Sequence, residues 1–174
     1  MKYLVKFFVV TLLLLICTYA SAEQKVAYLD MKFVLNNSKA GKGAQDFLQK
    51  SFRENQKKFL DRENKLKQEE SDLLGKKTIL TKEEYQRKSD DLRKKVIDYQ
   101  SQRRLSLEKI TTLRAEAKQK LLEKLDPILQ AYIGENNISI VVDKKNIIMG
   151  NTNLDITNII VEKLNKEFPA LSIK

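Results

Sequence analysis

The chain has 174 residues, 33 basic and 23 acidic, for a formal net charge of +10, with no histidine and a single cysteine, Cys17. That composition excludes histidine- and cysteine-based zinc sites and the Ser-His and Cys-His nucleophile pairs. It also points toward acidic partners such as anionic lipid headgroups, lipopolysaccharide phosphates or acidic polypeptides.

The N-terminus, "MKYLVKFFVVTLLLLICTYASAEQ", has two early lysines, Lys2 and Lys6, then an apolar run from Phe7 to Ile16 and a small-x-small site at Ala20-Ser21-Ala22. This is the pattern of a cleaved secretory signal over 1–22. The run is short for an uncleaved anchor, which needs about 20 apolar residues. Acylation of Cys17 is disfavoured by the bulky Ile16 before it. Cleavage would remove two of the 33 basic residues, leaving 31 against 23 acidic and a net charge of +8. It would also remove the only cysteine, so the rest carries neither a disulfide nor thiolate chemistry, which suits an oxidising periplasm. About 150 residues remain, one domain by length. Export also separates the protein from nucleic acid, so no physiological nucleic-acid partner is expected.

Four blocks follow. In "KVAYLDMKFVLNNSKAGKG", Val26 to Leu29 reads as a short strand, and Asn36, Asn37 and Ser38 offer caps for a helical start. The second block, from about Ala44 to Leu74, lacks Gly and Pro and is helical. Phe52, Phe59, Leu66 and Leu73 are seven apart, with mostly charged and amide residues between them. One or two apolar residues per heptad make a seam for a partner helix, too thin for a globular core. Gly75 suits a helix C-terminal cap, and "GKKTIL" (75–80) is the tip of a hairpin.

The third block opens with "TKEE", a capping box with Thr81 at the N-cap and Glu84 three residues on. It continues without Gly or Pro to Asp126, and Pro127 either kinks it or opens a new helix. Tyr85, Leu92 and Tyr99 again fall seven apart, and Val96, Ile110, Leu113 and Ala117 extend the seam. Two such helices joined by a short turn predict an antiparallel coiled coil over 44–126. This segment holds 22 basic and 16 acidic residues, so most of the excess charge sits on it. In the fourth block, Ile138 to Val142 alternates and is β-branched, hence a strand. Ile147 to Met149 reads as another strand. Asp155 starts a last helix with Ile156, Ile159, Ile160 and Leu164 on its apolar side. The fold class is α+β, mostly α: a small β body, 23–43 with 127–174, into which a long helical hairpin is inserted. A body that small is marginal alone, and oligomerisation is a common remedy.

No nucleotide-binding glycine motif appears. The acid pairs Glu69-Glu70, Glu83-Glu84 and Asp90-Asp91 have basic neighbours, and adjacent helical residues do not face each other. Ser71 with Lys76 or Lys77 would lie at an exposed tip without a pocket. No enzyme is expected, and no metal or cofactor. A transmembrane barrel would need many alternating segments of about ten residues, and the one candidate here is half that length.

The segments "VAYLDMKFVLNNSKAGK", "ISIVVDKKNIIM" and "NLDITNIIVEKLNK", in this order around a basic hairpin, resemble the Skp/OmpH family of periplasmic chaperones. Leu154 to Thr157, "LDIT", is the most distinctive piece. The resemblance implies a jellyfish-like homotrimer, with a central β body and three hairpin tentacles around a cavity. It implies an ATP-independent holdase that keeps unfolded outer-membrane β-barrel proteins soluble on the way to the barrel-insertion machinery. Its body would use Val26, Tyr28, Ile138, Ile140, Val142, Ile147 and Ile148. Client contacts are expected to be diffuse, over Lys76, Lys77, Lys82, Arg87, Lys88, Arg93, Lys94, Lys95, Arg103 and Arg104. Scattered Phe52, Phe59, Tyr85 and Tyr99 would serve the seam or touch apolar client stretches. Such weak, distributed contacts suit many unrelated clients. The competing reading is an envelope tether, a coiled-coil spacer bound to lipopolysaccharide or another partner, with a rigid continuous seam. Asn55, Arg62 and Glu69 interrupt the seam and favour the flexible holdase.

Overall fold

The computed structural model describes Tyr3 and residues 25–173; the expected signal segment, 1–22 with Cys17, lies otherwise outside the described residues. The elements are β1 (Lys25–Leu29), α1 (Met31–Asn37), α2 (Lys39–Gly75), α3 (Lys82–Glu135), β2 (Ile138–Asp143) and α4 (Thr157–Glu167). The fold is α+β and mostly helical. No helix among the described residues is long and apolar enough to cross a membrane.

β1 and β2 pair in parallel, with Val26 opposite Ile140, Ala27 opposite Val141 and Tyr28 opposite Val142. The alternation of side chains splits this ribbon into two faces. Ala27, Leu29 and Ile138 point into a core completed by Val34, Leu125, Ile128, Ile156, Ile160 and Leu164. On the other face Val26 is 42% and Ile140 55% exposed. The outer edge of β1 is taken by the "LDIT" segment. Tyr28 bridges Asp155, and the Ile156 N–H donates to the Tyr28 carbonyl at 3.0 Å. The Asp30 N–H then donates to Thr157 Oγ1 at 2.9 Å, and the Asp155 carboxylate accepts from the Thr157 N–H. Lys144 Nζ pairs with the Asp155 carboxylate at 2.7 Å. Burial alone would raise the Asp155 pKa, but hydrogen bonds from Lys144 and Thr157 outweigh it and the net shift is downward. Among the described residues no buried side-chain polar atom is left without a partner.

Ile147 to Met149 is not a strand, and the sheet has two strands, not three. The physical reason is local. Asp143 caps a single 3-10 turn over Lys144–Asn146, which swings the chain off the line of β2. The β1 edge is occupied by Asp155 and Ile156, and the residues after the turn do not fold back onto the outer edge of β2. The backbone instead passes over the ring of Tyr28, so close at Gly150 that an added Cβ would lie 3.2 Å from the ring. Ile147 is half-buried, and Ile148 and Met149 are fully exposed.

The hairpin is longer at its root than 44–126. α2 starts at Lys39, with the Ser38 hydroxyl accepting from the Gly41 N–H and Asn165 of α4 accepting from the Lys39 N–H. α3 runs unbroken through Pro127 to Glu135. At 1.5 Å per residue the two helices are about 55 and about 80 Å long. Gly75 is the last residue of α2 and keeps a negative φ, so its freedom at positive φ is unused; Lys76 is the C-cap. Thr81 and Glu84 close the capping box, with the Glu84 N–H donating to Thr81 Oγ1 and the Thr81 N–H to the Glu84 carboxylate. Asn137, with φ of 53°, makes the turn from α3 into β2, a conformation asparagine tolerates. Ile156 at the N-cap and Ile160 and Leu164 within α4 are buried, while Ile159 faces outward.

A second apolar cluster sits above the body, where Leu48 of α2 meets Ile110 and Leu113 of α3. The C-terminal tail reaches it: Phe168 packs on the main core, and Ile173 packs on this cluster. The tail is therefore a strap across the root of the hairpin. Substituting Ile173 by serine is expected to raise amide exchange around Leu48, Ile110 and Leu113 and to leave α4 unchanged; equal protection in both proteins would show that the strap holds nothing.

Two glycines near the root predict opposite outcomes. A Cβ at Gly41 would lie 1.9 Å from the Leu35 carbonyl oxygen, whereas one at Gly43 meets nothing. Gly41→Ala is expected to destabilise the protein by about 1–3 kcal/mol through overpacking. Gly43→Ala is expected to stabilise it by up to about 1 kcal/mol through helix propensity. Urea unfolding of the two variants checks the signs.

Candidate functional site

The part of the molecule that departs from an ordinary small domain is the paired α2–α3 arm. Its seam is built as the heptads require. Phe59 and Tyr99 are buried against each other, ring centroids 6.0 Å apart and edge to face. Leu66, Leu73, Tyr85, Leu92 and Val96 are half-buried, and Phe52 lies at 39% exposure. Towards the body the α3 stripe continues through Ile110, Leu113, Ala117, Leu121 and Leu125, all buried.

The two flanks of this seam differ chemically. On one flank, polar bridges join the helices. Arg62 donates to the Asp98 carboxylate at 2.6 Å and to the Gln102 amide oxygen at 2.7 Å. Lys95 pairs with Glu69 at 2.7 Å. The residues that interrupt the apolar seam in the sequence, Arg62 and Glu69, are the ones that close this flank. Beside the seam, away from these bridges, the Tyr99 hydroxyl donates to Glu63 at 3.1 Å, and Lys67 pairs with the same carboxylate. These contacts set the protonation of the clasp. The hydrogen bond from Arg62 holds Asp98 below the usual carboxylate range. Hydrogen bonds from Lys67 and then Tyr99 do the same for Glu63. Burial, then the bond to Glu63, pushes the Tyr99 hydroxyl up.

The other flank is open. A depression of about 620 Å³ is lined by Phe52, Arg53, Lys57, Phe59, Leu60 and Leu107 among others. A second, of about 630 Å³, lies nearer the tip between Leu66, Leu73, Leu74, Tyr85, Leu92 and Val96. Both reach Glu63, Tyr99 and Arg103, so they form one groove along the arm. Leu60 and Leu107 on its walls are 57% and 45% exposed.

The basic residues expected to contact a partner are all exposed and do not converge on one spot. Lys76 and Lys77 lie in the tip turn, Lys82 opens α3, and Arg87, Lys88, Arg93, Lys94, Lys95, Arg103 and Arg104 follow along it. Arg93, Lys94, Lys95 and Arg104 are engaged with Asp90, Asp91, Glu69 and Glu108. Of the set, only Arg103 lines both depressions of the groove. Sequence reasoning missed Arg53, Lys57, Leu60 and Leu107. Their signal lies beside the heptad positions and appears only when the two helices are set in register. Of the residues assigned to the body, Ile138 is in the core, Tyr28 is covered by the Gly150 loop, Val142 and Ile147 are half-buried, and Val26, Ile140 and Ile148 are exposed. Among the described residues no group of three or more carboxylate, histidine or cysteine side chains is placed to hold a metal.

A strand, a long paired hairpin, a returning parallel strand and the "LDIT" junction are together a distinctive arrangement, and comparison with known proteins bears on it directly. A family model described as outer membrane protein (OmpH-like) matches residues 25–164. The chain belongs to the OmpH-like family. Among solved structures, a Caulobacter crescentus CB15 protein described as an OmpH-like outer membrane chaperone superposes with a TM-score of 0.82, at 18% identity, over 90% of this chain and 93% of that one. Among curated proteins none matches. The agreement with the Caulobacter protein is one of fold: the OmpH-like hairpin and body keep their arrangement although four in five residues differ.

The clasp makes a prediction about acid. Carboxylates with lowered pKa contribute stability above the ordinary carboxylate range and lose it as pH falls through the lowered values. In a carbon-detected NMR titration Asp98 is expected to titrate below a free aspartate, and Arg62→Gln to move it back up. An Asp98 that titrates identically in both proteins would show that the bridge is not formed in solution.

Proposed function

We propose that this OmpH-like protein is an ATP-independent periplasmic holdase chaperone, which binds unfolded outer-membrane β-barrel proteins between its arms and prevents their aggregation. The observation that carries the reading is the arm itself. The helices reach far beyond the core, carry most of the excess positive charge, and present an open apolar groove. Family membership supports a chaperone role, and the description of the Caulobacter protein agrees with it. In this reading residues 1–22 are the cleaved export signal, 23–43 and 127–174 form the body, and 44–126 form the tentacle.

The working form is a homotrimer joined through the body. Val26, Ile140, Ile148 and Met149 are the exposed apolar residues that support it, because apolar side chains beside an unpaired strand edge call for a cover. Three arms sharing one client gain avidity from individually weak contacts. The same positive charge also favours contact with lipopolysaccharide or an anionic membrane surface, and handover to the barrel-insertion machinery is indirect.

The test is light scattering on dilution of a urea-unfolded outer-membrane barrel protein, with the chain from Glu23 at rising ratio and no ATP. Scattering is expected to vanish at about three chains per client, as a closed cyclic trimer requires. Unchanged scattering at low salt and excess protein would reject the holdase and move the reading to an envelope tether.

A further inference from the structure

The two flanks of the arm are not equivalent, and this decides which of them meets a client. We infer that the open flank, from Phe52 to Leu74 on α2 and from Tyr85 to Leu107 on α3, receives an extended segment of unfolded polypeptide. That segment carries alternating apolar side chains, with a carboxylate at its body-proximal end. This rests on the holdase reading and adds to it the receiving face, the conformation of the segment and its charge.

The zipped flank is spent. Arg62, Glu69, Lys95 and Asp98 satisfy one another across the helices, and a client there would have to break those pairs. The open flank has unsatisfied chemistry. Among the described residues Arg53, Lys57 and Arg103 are in no ion pair, and all three line the body-proximal half of the groove. The one acid in that half, Glu63, is held by Lys67 and Tyr99. The proximal half is therefore an unneutralised basic rim around Phe52, Leu60 and Leu107. Nearer the tip the bases are engaged, Lys67 with Glu63 and Arg93 with Asp90, around a floor of Leu66, Leu92 and Val96.

The dimensions suit a peptide. From residue 52 to residue 74 a helix rises about 33 Å, which an extended chain spans in about ten residues. The helices have no unpaired backbone along this stretch, so the occupant is not added as a strand and is held through side chains alone. That makes each contact weak and exchangeable, and leaves the backbone of the occupant wet on its outer side. A polyanion such as nucleic acid would meet Glu63 and Glu70 within the groove. A cluster of acyl chains would find the apolar floor divided by Gln100, Ser106 and Glu63. An alternating polypeptide can place apolar side chains between those polar positions.

The experiment uses the full chain with benzoylphenylalanine placed at Leu60 or Leu107 on the open flank, or at Lys65 or Lys109 away from it. The probe is a urea-unfolded outer-membrane barrel protein diluted into each. Crosslinks are expected predominantly from positions 60 and 107. In parallel, Arg53→Glu with Lys57→Glu and Arg103→Glu is compared with Lys65→Glu, Lys109→Glu and Lys120→Glu, which changes the net charge equally. The first set is expected to weaken client binding about tenfold and the second to leave it near the parent value; all six residues are exposed, and circular dichroism checks that both sets fold. Equal crosslinking from the two flanks, or equal loss in the two sets, with aggregation still suppressed, overturns the assignment of the face and leaves the holdase standing. Crosslinking at 60 and 107 to lipopolysaccharide micelles but not to the unfolded protein overturns the polypeptide as occupant. Failure of the parent chain to suppress aggregation or to crosslink anywhere removes the holdase reading and this inference together.

Discussion

The parallel pairing of β1 with β2 is the constraint on which the rest depends. Antiparallel strands can be joined by two residues, but parallel strands need a crossover that carries the chain back to the end at which the first strand began. Here that crossover is everything from residue 30 to residue 137, and the arm is the crossover drawn out into a hairpin. Because Val26 must meet Ile140 and Tyr28 must meet Val142, α2 and α3 leave and re-enter the body side by side. The core below them is small, and the "LDIT" segment completes it by occupying the one strand edge that would otherwise face solvent on the α4 side.

Above the body the stabilising interactions change in kind. Near the root the seam is continuous and buried, from Leu48 and Ile110 down to Leu125. Towards the tip it thins to one large apolar residue per heptad, and polar bridges from Arg62 and Glu69 take over. Exposed ion pairs contribute little each, so the distal arm is held by register more than by energy. The Phe59–Tyr99 contact marks the change between the two regimes.

Much of this was legible in the sequence because it is written in local chemistry. The seven-residue spacing, the Thr81–Glu84 box and the β-branched run at Ile138 each specify an element through contacts within a few residues. The failures have a shared cause in tertiary context. Ile147 to Met149 has the composition of a strand, but the 3-10 turn capped by Asp143 carries it away from the sheet and over the Tyr28 ring. Gly75 was free to adopt a left-handed conformation that this helix end does not require. Arg62 and Glu69 look like defects in a seam until the facing helix supplies Asp98 and Lys95. Leu60 and Leu107 are isolated leucines in the sequence and become a groove only when the helices pair. Sequence spacing located the arm, whereas the difference between its flanks depended on which residues of α2 face which residues of α3.

Pro127 gives the arm its mechanical character. It lacks the N–H that would bond the carbonyl four residues earlier, and a proline inside a helix is ordinarily where the rod yields. In this chain that missing rung falls between Leu125 and Ile128, both locked in the main core, so neighbouring packing clamps the soft section. Beyond it neither helix contains another proline, and from Ala44 to Leu74 and Lys82 to Asp126 neither contains a glycine. The arm therefore has no joint. Its compliance is that of a two-ply strip whose layers slip and part along the thin distal seam, stiff at the body and progressively softer towards the tip.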